Sequence, residues 1–279
     1  MTLNLARLVR PWQLFASPSF FSTFRRRCSY RVGVDISPFI PGLLALLTSC
    51  SWSISEGNTP ELSEPPKAPC QVDVVAFDVS AHLRSIDPNL AGIDADAADR
   101  DTAWGLIRMA LQQYPASACA CVGPIRLVLA SRLTDHGEPE EAISYPDKKL
   151  LVISVEGSIS LLRRYHHEFF HLLKRSHGEA SALDSSWRAV NLPGFVYLSE
   201  RASPTDVSEI PRDHPGFLTP YSMYSLNEDQ AELFSHLMYQ PGVVHGTIAP
   251  ADRVIGAKLA LLKNYVTEVC PPLSFIGEP

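Results

Sequence analysis

Apolar positions change period several times along this chain, and each change predicts an element. From Gln71 to Ser80 (QVDVVAFDVS) apolar and polar residues alternate, the period of a strand. From Asp99 to Tyr114 the apolar residues Trp104, Ile107, Leu111 and Tyr114 recur at helical spacing, and Pro115 follows as a stop. Ile125 to Ser131 (IRLVLAS) and Leu150 to Val155 (LLVISV) are short apolar runs of strand length. Between them Asp135 to Asp147 is acidic, bears Gly and Pro, and reads as a solvated loop flanking any cleft built on the neighbouring strand. Gly157-Ser158 then supplies a turn, with Ser158 as a helix N-cap, and a helix is predicted from Ile159 to about Ser176. Leu226 to Tyr239 carries Leu226, Leu233, Phe234, Leu237 and Met238 on one face, a second amphipathic helix.

Composition agrees with a packed domain. Of 279 residues 46% are hydrophobic and 19% charged, and 23 Pro favour long ordered loops over a bundle of regular elements. The net charge of −6, with no basic stripe beyond residue 31, argues against nucleic acid as a partner.

The first fifty residues follow another pattern. Residues 1–31 hold six Arg and no Asp or Glu, and the apolar run Pro38 to Leu47 ends in Leu47-Thr48-Ser49-Cys50. Basic, apolar, small and then Cys is the order of a bacterial lipoprotein signal, which would make Cys50 the lipidated N-terminus of an exported protein at the cell envelope. An organelle transit peptide is the alternative. The expected division is therefore a targeting region at 1–49, a Pro-rich tether at 50–69 and a folded domain at 70–279, with a membrane touched only through Cys50. Four further cysteines, Cys70, Cys119, Cys121 and Cys270, suit disulfides in an exported chain. Cys119 and Cys121 are too close in sequence to pair with each other, so each is expected to reach Cys70 or Cys270.

The helix expected at 159–176 contains His167-Glu168-Phe169-Phe170-His171, an H-E-x-x-H pattern. Residues four apart on a helix share a face, so both imidazoles can point at one zinc ion. Glu168 projects roughly a quarter-turn away, where a carboxylate can take a proton from water at the metal. With His167 at zero on the wheel, His171 falls at about 40°, Ser160 at about 20° and Arg164 at about 60°, while Leu162, Tyr165, Phe169, Leu172 and Leu173 collect opposite. His166, at about 260°, points away and reads as a packed or capping histidine. Arg163, Arg164 and Lys174 ring the His face as solvated cations able to hold a substrate carboxylate.

A third ligand is needed, and two candidates compete. His177 stands ten residues after His167, but the Gly that such an arrangement uses to turn the chain is replaced by Lys174. Glu232, on the second amphipathic helix, would complete a His, His, Glu site with a fourth position for water. Glu228 and Asp229, one turn earlier, would orient an imidazole by hydrogen bonding.

These residues carry a resemblance. Tyr165-His166-His167-Glu168-Phe169-Phe170-His171, the segment Trp187…Asn191-Leu192-Pro193-Gly194-Phe195, and Gly216-Phe217…Tyr221…Glu228-Asp229-Gln230-Ala231-Glu232-Leu233-Phe234 together resemble a family of bacterial zinc metallopeptidases, often lipoproteins, similar to the catalytic domain of anthrax lethal factor and other gluzincins. The resemblance spans residues 149–240. It implies an α+β, zincin-like fold in which a mixed sheet packs on the helix carrying H-E-x-x-H and a later helix supplies the third ligand. It further implies Zn2+ held by His167, His171 and Glu232, Glu168 as general base, and Tyr221 (or Tyr224) as oxyanion donor. The expected activity is hydrolysis of a peptide or protein substrate. The alternative is a zincin-fold surface lipoprotein that binds a partner or wall component without cleaving it.

Overall fold

The computed structural model describes residues 70–273, apart from 76–77, 158, 179–180 and 201–213. Cys50, the targeting region and the tether lie outside the described residues, as does Ser158. Along the chain the elements are β1 (Val72–Val75), α1 (Val79–Ile86), β2 (Leu90–Asp94), α2 (Ala97–Leu111), α3 (Ala116–Cys119), β3 (Ile125–Asp135), β4 (Glu138–Pro139), β5 (Ala142–Tyr145), β6 (Leu150–Ser154), α4 (Leu161–Ser176), α5 (Ser181–Val190), α6 (Leu226–Tyr239), the short turns α7 (Pro241–Val243) and α8 (Ala249–Ala251), and α9 (Arg253–Val269). Among the described residues the architecture is mixed α/β, a six-stranded sheet and a helical part. Among the described residues no helix is long and apolar enough to cross a membrane.

β3 is the axis of the sheet. It pairs parallel with β1 on one edge and with β6 on the other, and antiparallel with β2 and β4. Ala130 pairs with Asp94 of β2 and also with Ser154 of β6, so β2 shares the edge of β1. β5 closes the far side, antiparallel to β6.

The unbroken apolar runs of β3 and β6 have a simple cause. Leu127, Leu129, Leu151 and Ile153 enter the large core toward the helices, while Val128, Ala130, Leu150 and Val152 enter a smaller core with Val79 and Leu83 of α1. With both faces covered, a strand has no reason to alternate. The large core also gathers Tyr165, Phe169, Phe170 and Leu173 of α4, Leu233, Phe234 and Leu237 of α6, and Leu259, Leu262 and Val266 of α9. Phe170 and Phe234 meet with ring centroids 5.1 Å apart, locking α4 to α6.

Several elements differ from expectation. The strand expected over 71–80 stops at Val75, because Asp78 accepts from the Ala81 amide at 2.9 Å and starts α1. α4 begins at Leu161 with Ser160 at its N-cap position. The acidic stretch Asp135 to Asp147, expected as a loop, contains β4 and the edge strand β5. α9 has no counterpart among the expected elements. Disulfides join Cys70 to Cys119 and Cys121 to Cys270, with Cα atoms 5.1 and 5.7 Å apart, so both ends of the described unit are tied to α3 and the residues just after it.

The junction that leads into α4 is built around Arg164. Its Nη1 lies 3.0, 2.7 and 2.7 Å from the carbonyls of Glu141, Ser154 and Glu156, holding the ends of β5 and β6 to the first turn of the helix. Gly157 has φ +127°, and a Cβ there would come within 3.2 Å of that same Nη1, so the turn needs glycine. Arg164, expected to be solvated, is 5% exposed.

Candidate metal centre

α4 and α6 pack against each other through their aromatic faces, and their polar residues meet at the edge of that contact. His167 Nε2 lies 3.2 Å from His171 Nε2 and 2.8 Å from Glu228 Oε2, and His171 Nε2 lies 3.6 Å from the same oxygen. Among the described residues these three form the group of His and carboxylate side chains close enough to hold one metal ion. Donors around a tetrahedral zinc at ~2.0–2.1 Å stand roughly 3.3 Å from one another, so two imidazole nitrogens and a carboxylate oxygen at these spacings fit that ion in number, type and separation.

Glu232, expected as the third ligand, stands elsewhere. It approaches the opposite ring nitrogen, His167 Nδ1, at 3.1 Å, and it accepts from Arg163 at 3.0 Å and from Thr219 Oγ1 at 2.7 Å. Glu228, expected to orient an imidazole, is the carboxylate within reach of both Nε2 atoms, while Glu232 meets Nδ1. The reason is helical geometry: Glu228 and Glu232 are one turn apart on α6, which crosses the imidazole of His167, so one carboxylate meets each nitrogen. Arg163, expected among the solvated cations, is spent on Glu232. Lys174 is likewise occupied, with Nζ 2.8 Å from Asp184, 2.8 Å from Asn227 and 2.7 Å from Gln230.

Asp229, expected beside the imidazoles, is not there. One residue on from Glu228 is about 100° round the helix, which aims it into the core. There its Oδ2 accepts from Trp187 Nε1 at 2.8 Å, Tyr197 OH at 2.8 Å and Lys258 Nζ at 2.7 Å. Burial pushes the Asp229 carboxyl up and the Lys258 ammonium down, and the charge of each opposes the shift of the other.

His177 also lies apart: it is exposed past the end of α4, with Nε2 3.1 Å from the Cys121 carbonyl. His166 is fully buried and meets Tyr114 OH at 2.6 Å through Nδ1. Burial drives its pKa down to about 3. His167 behaves in the opposite way. Burial alone would lower it, but hydrogen bonds to Glu228 and Glu232 and the charge of Glu168 raise it to about 10. Burial opposes ionisation of the two glutamates as well, yet their contacts with His167 hold both carboxyls well below the ordinary range. A cation is thus favoured at this ring, whether carried as a proton or replaced by a metal ion.

The cluster opens on a cleft of about 880 Å³ whose walls include β5 at Ala142 to Ser144, with Glu168, His171, Tyr221 and Glu228. Glu168 is 6% exposed and faces this space next to the imidazoles. Tyr221 sits in a 3-10 turn (Tyr221–Met223), its ring 6.0 Å from that of His167 and stacked on Tyr224 at 6.1 Å. Burial, then the carboxylates of Glu228 and Glu168, push its phenol up, so the hydroxyl keeps its proton across the neutral range. The sequence reading missed Glu140, which lines the same cleft, and Thr219. Burial and the nearby Asp135, Glu168 and Glu228 raise the Glu140 carboxyl. Its place in a stretch read as a solvated loop gave no signal.

No protein-family model and no curated protein matches the chain. Among solved structures, a protein from Bacteroides caccae described as a "putative zinc-binding metallo-peptidase" is similar over 75% of this chain and 83% of its own, at 16% sequence identity and a TM-score of 0.42. At that level of similarity the site is read from the residues of this chain.

Proposed function

We propose that the protein is a zinc-dependent peptidase of the gluzincin kind, with His167, His171 and Glu228 as metal ligands and Glu232 as the carboxylate that orients His167. One observation carries the reading: two ring nitrogens and a carboxylate oxygen converge at ligand spacing, with a buried glutamate beside them facing an open cleft. When bound, zinc supplies Lewis acidity and brings the pKa of a water down to about 7. Glu168 then takes the proton of the attacking water and delivers it to the leaving amine as the C–N bond breaks. Tyr221 donates a hydrogen bond to the carbonyl oxygen as it becomes an oxyanion, a contribution of about 3 kcal/mol. Glu232 receives the Nδ1 proton of His167 and so fixes the tautomer that presents Nε2. The edge strand β5 offers its outer backbone to an extended peptide lying in the cleft. Anchoring at the envelope through a lipid on Cys50 is part of the proposal and rests on the sequence pattern alone.

The test is Glu168→Gln in the zinc-loaded protein. Hydrolysis of a peptide library should be abolished while one zinc per chain is retained. A wild-type protein that holds zinc and cleaves nothing in such a library would favour the non-cleaving surface binder instead.

A further inference from the structure

Lys258 lies on α9, far along the chain from the cleft, yet it is 1% exposed and its ammonium is fully engaged. It donates to Asp229 Oδ2 at 2.7 Å and to the Gly216 carbonyl at 2.7 Å, and it sits 3.8 Å from the centroid of the Phe217 ring. A buried ammonium is costly unless each of its protons is satisfied, so this geometry is held firmly or not at all. Its two acceptors belong to different working parts of the site. Asp229 is the chain neighbour of Glu228. Gly216 begins the segment that carries Thr219, which donates to Glu232, and Tyr221, which lines the cleft.

The Gly216 peptide is fixed from both sides by α9 and its N-cap. Its N–H donates to Asp252 Oδ2 at 2.6 Å, and its carbonyl accepts from Lys258. Gly216 has φ +88°, and a Cβ there would lie 2.7 Å from Val254 Cγ1, so the segment presses directly against the start of α9. The opposite end of the segment is held through Thr219 to Glu232. Beyond these anchors the Tyr221 ring meets the rings of Tyr224 and His167.

We propose that Lys258 is a positioning residue: one buried ammonium sets the Tyr221 segment in register with α6 by tying Gly216 to Asp229, and so places the oxyanion donor relative to Glu228. It touches no substrate and no metal ligand. The inference rests on the proposed peptidase reading for its catalytic consequence and on geometry alone for its structural one.

The test compares Lys258→Met with the double variant Lys258→Met/Asp229→Asn in the full chain, zinc-loaded. The single variant strands a buried carboxylate and should lose stability. In the double variant the charge is gone, the new side-chain amide oxygen still accepts from Trp187 and Tyr197, and most of that stability should return. The tether to Gly216 is absent in both. Amide exchange over 216–224 should therefore rise on the order of tenfold in the double variant, with residues 161–176 unchanged and zinc retained. Turnover should fall on the order of tenfold or more with KM little altered. If the double variant recovers both wild-type exchange over 216–224 and wild-type turnover, Lys258 only balances a buried charge and the proposal is wrong. Should the wild type cleave no peptide, the peptidase reading fails while the exchange measurement still decides the tether.

Discussion

Two pairs of chain neighbours, His166 with His167 on α4 and Asp229 with Glu228 on α6, divide between two regions of opposite character. His166 and Asp229 face the core; Glu228 lines the cleft, and His167 meets it there through Nε2. In the core the partners are protein groups: Tyr114 on His166 Nδ1, with the buried Nε2 left without a hydrogen-bond partner, and Trp187, Tyr197 and Lys258 on Asp229. In the cleft the same residue types are set against one another, with two imidazole nitrogens and a carboxylate oxygen aimed at one point. The first region is closed and structural. The second brings together donors able to hold a metal ion. A rotation of about 100° along a helix is all that separates them.

The sharpest way to break this contrast is Asp229→Ala. It leaves the Lys258 ammonium buried and unpaired and two donors without an acceptor, which should cost about 3–5 kcal/mol in urea unfolding of the zinc-free protein. A loss below about 1 kcal/mol would mean that water reaches this network and that the core face is not closed.

The pH dependence of stability separates the neighbouring histidines. The folded-state pKa of His166 lies near 3 against 6.5 in the ordinary state, so the unfolded chain binds the extra proton first as pH falls. Its contribution is intact above pH 6.5 and should decline by about 1.4 kcal/mol per unit below that, about 2.7 kcal/mol by pH 4.5. Below about pH 4.5 the depressed carboxyls of Glu228 and Glu232 add their own loss. His167, held up at about 10, works the other way in the zinc-free protein: its contribution is present below pH 6.5 and is lost as pH rises toward 10. Replacing His166 with Leu should flatten the acid limb relative to wild type and leave the alkaline limb alone. An unchanged acid limb would show that this ring is not the buried neutral group described.

The smallest expected effect is that of Glu232, set against a much larger one at Glu228. Glu232→Ala should weaken zinc by about 10–100-fold, roughly 1.4–2.7 kcal/mol, because an orienting contact is lost. Glu228→Ala should abolish stoichiometric binding. Competition with a chelator measures both, and equal losses would erase the distinction between ligand and orienting group.

Much of the placement of these residues was legible because they lie on two helices, α4 with a strong period and α6 with an apolar run of helical length. His167, Glu168 and His171 fall on one side of α4 for the same reason that Phe169 and Leu173 fall on the other, and α6 runs from Leu226 to Tyr239 as its apolar residues predict. The choice between Glu228 and Glu232 was not legible. Both lie on the same stripe of α6, and only the crossing of α6 over α4 decides which carboxylate meets which nitrogen. Asp229 was misplaced because acids so near each other look alike until the phase of the helix is known. The disulfide partners were limited to two pairings by sequence and separated only by the fold. β5 was hidden for a different reason: Ala142–Tyr145 is an edge strand on a cleft, so its half-exposed sequence lacks the apolar run that revealed β6. Lys258 gave no signal, since a lysine on an amphipathic helix is ordinarily solvated.

The central claim is that His167, His171 and Glu228 hold a metal while Glu232 stands behind His167. Anomalous diffraction at the zinc edge from zinc-loaded crystals tests it directly. The account predicts one peak at ~2.0–2.2 Å from the Nε2 atoms of His167 and His171 and from a Glu228 oxygen, with Glu232 still on Nδ1. A peak bonded to Glu232 in place of Glu228, or no zinc between the two imidazoles, would contradict it.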